Sequence, residues 1–232
     1  MELPSVDEVE VWAIDLASSR EECDALAGRL SAQELRRAAN MRVESARRRF
    51  IVARGSLRLL LARWLAAPAD EIEFTIGEHG KPGVEGLSFN LSHSGEVCLV
   101  AVTRERDVGI DVELMRPHRD ALGIARRYFT AAETEAIGHA SDRLECFYRH
   151  WVAKEALLKA TGLGLGGRLG SFEVALDPKP RIVHIDGDEQ RAARWSLDLL
   201  ELPGAYMAAL VTDGPLTHRA PRRFDPIATE AA

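Results

Sequence analysis

The same order of secondary structure runs twice along this chain: a strand, then helices, then further strands, with the break near residue 108. Strands are predicted where apolar residues alternate with polar ones or form short runs between turn residues, and helices where apolar residues recur at helical spacing. No residue-level repeat accompanies this order, so duplication is a prediction about structure alone. The order predicts an α+β fold with helices packed on antiparallel sheets. The predicted strands are 9–14, 72–76, 88–91, 97–103, 108–113, 172–176, 195–200 and 205–211, and the predicted helical segments are 19–42, 44–66, 119–138 and 142–161.

Two subdomains and a tail are expected from this order. The N-terminal subdomain is placed at 1–108, the C-terminal subdomain at 109–212 and a flexible tail at 213–232. The tail is assigned because prolines and arginines interrupt any apolar pattern there. A length of 232 residues suits two small domains or one large one, and either could bury a core.

Composition excludes several classes of protein. A net charge of −6 argues against a surface that binds nucleic acid. The acidic start lacks the pattern of a secretory signal, and no apolar run approaches the roughly 20 residues that span a bilayer. Cys23, Cys98 and Cys146 lie far apart in the sequence, which predicts reduced thiols in the core instead of disulfides or a zinc site. We therefore expect a cytoplasmic protein without nucleic-acid or membrane partners.

Two acidic residues alternate with apolar residues at 109–113. On a strand, Asp111 and Glu113 point to one face while Ile110 and Val112 point to the other. Adjacent carboxylates repel each other unless a proton or a cation lies between them. The pattern therefore predicts either a cation site or an exposed strand face with two solvated acids.

A helix is predicted over 151–161, where Glu155 and Lys159 lie four residues apart on one face. Trp151 and Leu158 are positioned to anchor this helix against a core. The simplest alternative is a surface ion pair, which contributes only about 0.3–0.5 kcal/mol.

A third polar segment follows the Gly-Lys-Pro sequence that contains Lys81 and Pro82. Asn90, Ser92 and His93 are expected to form a polar turn after a short strand. Hydroxyls, an imidazole, a lysine and free backbone N–H groups together hold phosphate oxygens. The alternative is an Asn- and Ser-rich turn with a hydrogen-bonded histidine.

Together these segments indicate one chemistry. Asp111, Glu113 and Glu155 offer three hard oxygen ligands, which suit Mg²⁺ with waters and substrate phosphates completing its shell. Lys159, one turn beyond Glu155, would contact the same phosphates. The combination predicts metal-assisted phosphoryl-type transfer.

The sequences GKP, FNLSHSG, GIDVE and WVAKEALLKATG, in this order, resemble the 4′-phosphopantetheinyl transferase superfamily, in its single-chain, surfactin-type branch. The resemblance extends from about Arg36 to Phe172. It implies a holo-[carrier protein] synthase that moves the phosphopantetheine arm of coenzyme A to a serine of an apo acyl or peptidyl carrier protein, releasing 3′,5′-ADP. It also implies a monomer built as a pseudo-dimer of two similar α/β subdomains, with the active site in the cleft between them.

The resemblance further implies roles for individual residues. Glu133 falls where some members place a candidate base, although Glu155 has an alternative claim and an acid early in a helix is also a common capping residue. Carrier docking is expected near Tyr128 and Phe129 and near the glycine-rich segment after Thr161. The implied ligands of Mg²⁺, or of Mn²⁺, are Asp111, Glu113 and Glu155, and Lys159 is placed at the pyrophosphate. The residues placed along coenzyme A are Lys81, Pro82, Asn90, Ser92 and His93. Its 3′-phosphate is assigned to Arg54, followed by Arg47.

Two other functions remain open on the sequence. One is another Mg²⁺-dependent phosphotransferase, although neither a GxxxxGK[ST] loop nor a set of kinase motifs is present. The other is a non-catalytic module that binds coenzyme A or a carrier protein on the same scaffold. Loss of transfer with retained partner binding in an Asp111→Ala protein would distinguish an enzyme from such a module.

Overall fold

The computed structural model describes Ser5 and residues 8–65, 67–77, 81–117, 120–162 and 169–226. Among these residues, no helix combines the length and apolar character needed to cross a membrane. The helices are α1 (Arg20–Ala27), α2 (Ala32–Ala39), α3 (Glu44–Leu65), α4 (Ala121–Tyr128), α5 (Ala131–His139), α6 (Arg143–Thr161) and α7 (Glu189–Ala192). The strands are β1 (Glu8–Asp15), β2 (Thr75–Ile76), β3 (Pro82–Gly83), β4 (Ser88–Ser94), β5 (Val97–Thr103), β6 (Val108–Leu114), β7 (Phe172–Ala175), β8 (Arg181–Ile185), β9 (Trp195–Leu200), β10 (Tyr206–Asp213), β11 (Thr217–His218) and β12 (Arg222–Phe224).

Each half of the chain builds a sheet with the same strand order. In the first half, β1 pairs antiparallel with β5, and β5 pairs antiparallel with β4. In the second half, β6 pairs antiparallel with β10, and β10 pairs antiparallel with β9. A long helix, α3 or α6, lies between the first strand and the last two in each half. The predicted α+β class is confirmed, and the repeated order agrees with a pseudo-dimer.

Alternation along the strands sorts the apolar side chains into separate core layers. Ile14 of β1 and Val100 of β5 belong to the core that includes the buried side of α3. Their neighbours Val11 and Leu99 face the second sheet, where they pack with Ile110 of β6. The opposite face of the second sheet packs on α6. The fold therefore stacks helix, sheet, sheet and helix, and both sheets are covered on each face.

The edges of the two sheets are joined by side chains of β4. The backbone N–H of Ile110 donates to Asn90 Oδ1 at 2.9 Å. Two residues further along both strands, the N–H of Val112 donates to Ser92 Oγ at 3.4 Å, and then the N–H of Leu114 donates to Ser94 Oγ at 3.1 Å. We call these three contacts the β4–β6 ladder. It satisfies N–H groups on an edge of β6 that pairs with no strand among the described residues.

Capping residues divide two of the predicted helical segments. The segment 19–42 contains α1 and α2, and the segment 119–138 contains α4 and α5. Ser31 begins α2 and Thr130 begins α5, each in a capping box with the glutamate three residues later, Glu34 and Glu133. Both start signals are local, and the helical pattern continues across each of them.

Three other predictions differ from the structure. The strand β4 continues to Ser94, so Asn90, Ser92 and His93 lie on a strand instead of a turn. The strand β8 was not predicted, because Ile182 and Ile185, its two buried residues, do not alternate. Of the predicted strand 72–76, only the two residues of β2 form a strand. A 3₁₀ turn at Ala69–Glu71 precedes this segment.

The segment expected as a flexible tail is ordered over 213–226. The strands β11 and β12 both pair in parallel with β1. The physical reason is a single aromatic anchor: Phe224 is buried in the first core, with its ring 6.0 Å from that of Trp12. Arg222 stacks on the same tryptophan at 4.2 Å and forms an ion pair with Glu10.

The helix α6 lies against β6 because Gly109 has no side chain. A Cβ at this position would lie 2.9 Å from Ala160 Cα and still closer to the backbone of Ala156. Lys81 holds the same junction, since its Nζ donates to the carbonyl oxygens of Val108 at 3.1 Å and Ala160 at 3.4 Å. The close approach brings the polar side of α6 onto the face of β6 that carries Asp111.

We predict that Gly109→Ala lowers the free energy of unfolding by about 1–3 kcal/mol or more, because backbone on both sides of the new methyl must move. Gly138→Ala on α5 is the matched control, since a Cβ there meets no atom within 4 Å. Chemical denaturation of both variants provides the measurement. Equal stability of Gly109→Ala and the wild type would contradict the close packing of α6 on β6.

Candidate active site between β6 and α6

Asp111 is the most enclosed acid of the site. Its Oδ1 accepts hydrogen bonds from Ser92 Oγ at 2.8 Å and from Lys159 Nζ at 2.7 Å. The ammonium of Lys159 also donates to Ser92 Oγ at 2.8 Å, which closes a three-membered network. The other carboxylate oxygen, Asp111 Oδ2, is buried and has no hydrogen-bond partner within the described residues. A buried carboxylate oxygen without a donor is costly, and it marks a position where a cation would be stabilised.

Burial raises the pKa of Asp111, and the contacts with Lys159 and Ser92 act in the opposite direction. Burial also raises the pKa of Glu155, and the negative charges of Asp111 and then Glu113 raise it further, while Lys159 lowers it. Two buried carboxylates therefore interact with the Lys159 ammonium, and Glu113 adds negative charge close to Glu155. The site carries more negative charge than its own lysine offsets.

Glu113 lies two residues beyond Asp111 on β6 and is less buried. Its Oε2 accepts a hydrogen bond from Ser94 Oγ at 2.8 Å. Asp111 and Glu113, which were predicted to share one face of a strand, thus both accept hydrogen bonds from serines of β4. The interpretation of two freely solvated acids is wrong for this pair.

The fit of these residues to a divalent cation rests on their chemistry. No group of three or more His, Cys, Asp or Glu side chains is arranged to enclose a metal ion in the part of the chain that the structure describes. Mg²⁺ is nevertheless usually bound through only one or two carboxylates, with waters and substrate phosphates filling its other positions. The unpartnered Asp111 Oδ2 fits such a cation, and so does Glu155, whose pKa stays raised despite the charge of Lys159.

The residues expected along coenzyme A have different surroundings. His93 is exposed, whereas the polar atoms of Asn90 and Ser92 are engaged in the β4–β6 ladder. Lys81 and Pro82 line a cleft of about 710 Å³ that also contacts Thr161 at the end of α6. Burial lowers the pKa of Lys81.

The arginines separate into two groups. Arg54, the residue expected at a 3′-phosphate, forms an ion pair with Glu34, and its guanidinium lies 3.9 Å above the Phe74 ring. Glu34 also accepts from Arg58 Nε at 2.7 Å, so one buried carboxylate holds two guanidinium groups. Burial lowers the pKa of Arg54.

Arg47, the second expected residue, pairs with Glu44 at 2.8 Å on the exposed side of α3. Arg49, which the sequence analysis did not select, reaches the turn between β4 and β5 and forms an ion pair with Glu96 there. This turn begins two residues after His93. Of Arg47, Arg49 and Arg54, Arg49 is therefore the one that lies beside the C-terminal end of β4. A run of similar arginines on one helix contains no signal that would have distinguished it.

Glu133 belongs to a separate, fully enclosed ion pair. Lys154 Nζ donates to Glu133 Oε1 at 2.6 Å and to Oε2 at 2.7 Å, and the N–H of Val174 donates to Oε1 at 2.9 Å. Both side chains are at most 1% exposed. Glu133 is therefore the capping acid that the sequence analysis named as the alternative, and Lys154 is a buried partner that it missed.

Phe129 also differs from its expected role. Its ring is buried and stacks on Phe147 at 5.7 Å, so it belongs to the core beneath α4 and α5. Tyr128 is the exposed member of this segment, and Arg127 lies over its ring at 5.2 Å. The glycine-rich segment after Thr161 falls largely at 163–168, outside the described residues.

We predict that Glu133→Gln costs about 3–5 kcal/mol of stability, because it leaves the ammonium of Lys154 buried without a counter-charge. The paired change Glu133→Leu with Lys154→Met should recover most of this loss. Activity per folded molecule, with the folded fraction taken from circular dichroism, should stay near the wild-type value. Loss of kcat in a fully stable Glu133→Gln protein would instead identify Glu133 as a catalytic base.

We predict that Glu155→Gln raises Tm at pH 7. A carboxyl whose pKa is raised in the folded state binds more protons folded than unfolded, so its stability contribution is highest at low pH and falls as pH rises through the folded-state pKa. The variant should therefore gain most at neutral pH, and its advantage should vanish at pH values below the ordinary carboxyl range. A Tm difference independent of pH would contradict the charge repulsion described above.

Comparison with known proteins gives concordant matches. The sequence profile of the 4′-phosphopantetheinyl transferase superfamily matches residues 107–211. The chain is 38% identical to a 4′-phosphopantetheinyl transferase of Nostoc sp. over 216 residues, which cover 90% of this chain and 89% of that protein. It is 31% identical to a 4′-phosphopantetheinyl transferase of Bacillus pumilus over 212 residues, covering 89% of each chain. A putative 4′-phosphopantetheinyl transferase of Synechocystis sp. is 35% identical over 60% of each chain.

Proposed function

The chain belongs to the 4′-phosphopantetheinyl transferase superfamily, and we propose that it transfers the phosphopantetheine arm of coenzyme A to a serine hydroxyl of an apo acyl or peptidyl carrier protein. The reaction is proposed to depend on Mg²⁺ and to release 3′,5′-ADP. The observation that carries the proposal is the network of Asp111, Ser92 and Lys159, with Asp111 Oδ2 buried and unpartnered beside the charged Glu155.

The proposed metal ligands are Asp111, Glu113 and Glu155. Magnesium bound there would offset the negative charge of the coenzyme A pyrophosphate and polarise the phosphorus under attack. The carboxylates would hold the cation in place from the rigid strand β6 and from the helix α6. This limits reorganisation of the site during the reaction.

The proton of the carrier serine is assigned to Glu155. Its carboxylate lies on the helix face that carries Lys159, close to Asp111. The serine oxygen forms a bond to the phosphorus that carries the pantetheine arm, and its proton passes to Glu155. The bond from that phosphorus to the bridging oxygen breaks, and its electron pair leaves with 3′,5′-ADP.

Lys159 is assigned to the leaving group. Its ammonium already lies 2.7 Å from Asp111 Oδ1, and its side chain remains about one quarter exposed. It can therefore contact Asp111 and a phosphate oxygen at the same time. Charge that develops on the leaving ADP is stabilised by this ammonium in a poorly solvated site.

Contacts to the other phosphates are assigned to His93, Lys81 and Arg49. Arg49 is proposed in place of Arg54, because the Arg49 side chain is about one third exposed beside the turn after β4, whereas Arg54 is more buried, shares Glu34 with Arg58 and lies over the Phe74 ring. The exposed pair of Tyr128 and Arg127 replaces Phe129 as the expected contact with the carrier protein.

We predict that Asp111→Asn abolishes transfer while the protein remains folded. The substitution removes the charge that a cation requires, and the amide oxygen can still accept from Ser92 or Lys159. Intact-mass spectrometry of an apo carrier protein, incubated with coenzyme A and Mg²⁺, measures the gain of one phosphopantetheine arm. Wild-type protein should produce this gain, and EDTA should suppress it.

Asp177→Asn is the matched control, because Asp177 is exposed and its one ion pair within the described residues is with Arg149. It should modify the carrier as the wild type does. Full transfer by Asp111→Asn would contradict the assigned site. Wild-type protein that binds coenzyme A but modifies none of several unrelated apo carriers would instead favour the binding module described above.

A further inference from the structure

Ser94 uses its single hydroxyl twice. Its Oγ accepts the backbone N–H of Leu114 at 3.1 Å and donates to Glu113 Oε2 at 2.8 Å. The incoming N–H occupies one lone pair of the oxygen, so the hydroxyl proton is directed towards the carboxylate. Ser94 therefore links the backbone of β6 to the side chain of the residue before Leu114.

The orientation of the Glu113 carboxylate depends on Ser94 more than the orientation of the Asp111 carboxylate depends on Ser92. Asp111 is held by two donors, Ser92 and Lys159. Within the described residues, Ser94 is the one group that donates a hydrogen bond to the Glu113 carboxylate. The carboxylate of Glu155 lies close enough to repel that of Glu113, so without a donor the flexible Glu113 side chain would turn towards solvent.

The turn after Ser94 is held from two sides. Gly95 has a φ of 58°, in the left-handed region that favours glycine, and a Cβ there would lie 2.6 Å from Tyr206 Oη. The same Tyr206 oxygen accepts the N–H of Glu96 at 3.1 Å, and the Glu96 side chain pairs with Arg49. The backbone of Ser94 is thereby fixed against both β10 and α3.

We propose that Ser94 is a positioning residue that orients the Glu113 carboxylate for a divalent cation. This inference rests on the proposed function, because it assigns Glu113 to the cation site. It adds a residue that touches neither the cation nor the substrate and acts only through Glu113. Partners that orient a metal ligand typically change metal affinity 10–100-fold when they are removed.

The experiment uses Mn²⁺ alone as the probe, titrated into the full-length protein while free Mn²⁺ is followed by electron paramagnetic resonance. Ser94→Ala should weaken Mn²⁺ binding about 10-fold or more. Ser94→Thr, which keeps the hydroxyl, should bind close to the wild-type value. Ser88→Ala on the same strand is the matched control and should also bind as the wild type does, since the Ser88 contact to Thr103 uses its backbone oxygen.

A double variant distinguishes a role of Ser94 in orienting Glu113 from a role in folding. If Ser94 acts through Glu113, Ser94→Ala should cause no further loss of Mn²⁺ affinity when it is added to Glu113→Gln. Independent losses in the two variants would overturn the proposal. So would unchanged Mn²⁺ affinity in Ser94→Ala, absence of Mn²⁺ binding by the wild type, or equal losses in Ser94→Thr and Ser94→Ala, which would assign the effect to packing.

The proposed function fails through a different result. Wild-type protein whose Mn²⁺ affinity depends on Ser94 but which modifies no carrier would contradict the transfer reaction and leave the role of Ser94 intact. Wild-type protein that modifies carriers, with Mn²⁺ affinity unaffected by Ser94→Ala, would overturn the role of Ser94 and leave the transfer reaction intact.

Discussion

The β4–β6 ladder is the interaction on which the rest of the structure depends. An edge of β6 that meets no strand would leave backbone N–H groups unsatisfied in a buried junction, and each such group is costly. Asn90, Ser92 and Ser94 accept these groups and thereby join the two halves of the chain. Because the same serines donate to Asp111 and Glu113, the contact that assembles the fold also orients the acids of the candidate site.

The site is assembled at a cost in stability. Burial raises the pKa of both Asp111 and Glu155, so the folded protein holds these charges less readily than the unfolded chain does. Lys159 offsets part of that charge, and a bound cation would offset more. Glu133 and Lys154 show the contrasting arrangement: their charges are matched one to one and enclosed, which suits a structural role.

Much of this structure could be predicted from local pattern. The bounds of β5 agree with a short apolar run, those of β9 agree with alternating apolar residues, and the four-residue spacing placed Glu155 and Lys159 on one helix face. The contacts of Ser92 with Asp111, of Glu133 with Lys154 and of Arg49 with Glu96 could not be predicted, because each joins residues far apart in the chain. Polar residues on β4 indicated a turn, since nothing local reveals that an edge of β6 needs acceptors.

The most direct test of this account is a crystal structure with coenzyme A and Mn²⁺, in which anomalous scattering locates the metal. The account predicts one strong peak among the carboxylates of Asp111, Glu113 and Glu155, with a phosphate oxygen of coenzyme A in contact with Lys159. Coenzyme A bound elsewhere, or a metal peak away from these carboxylates while Asp111 Oδ2 stays unpartnered, would contradict it.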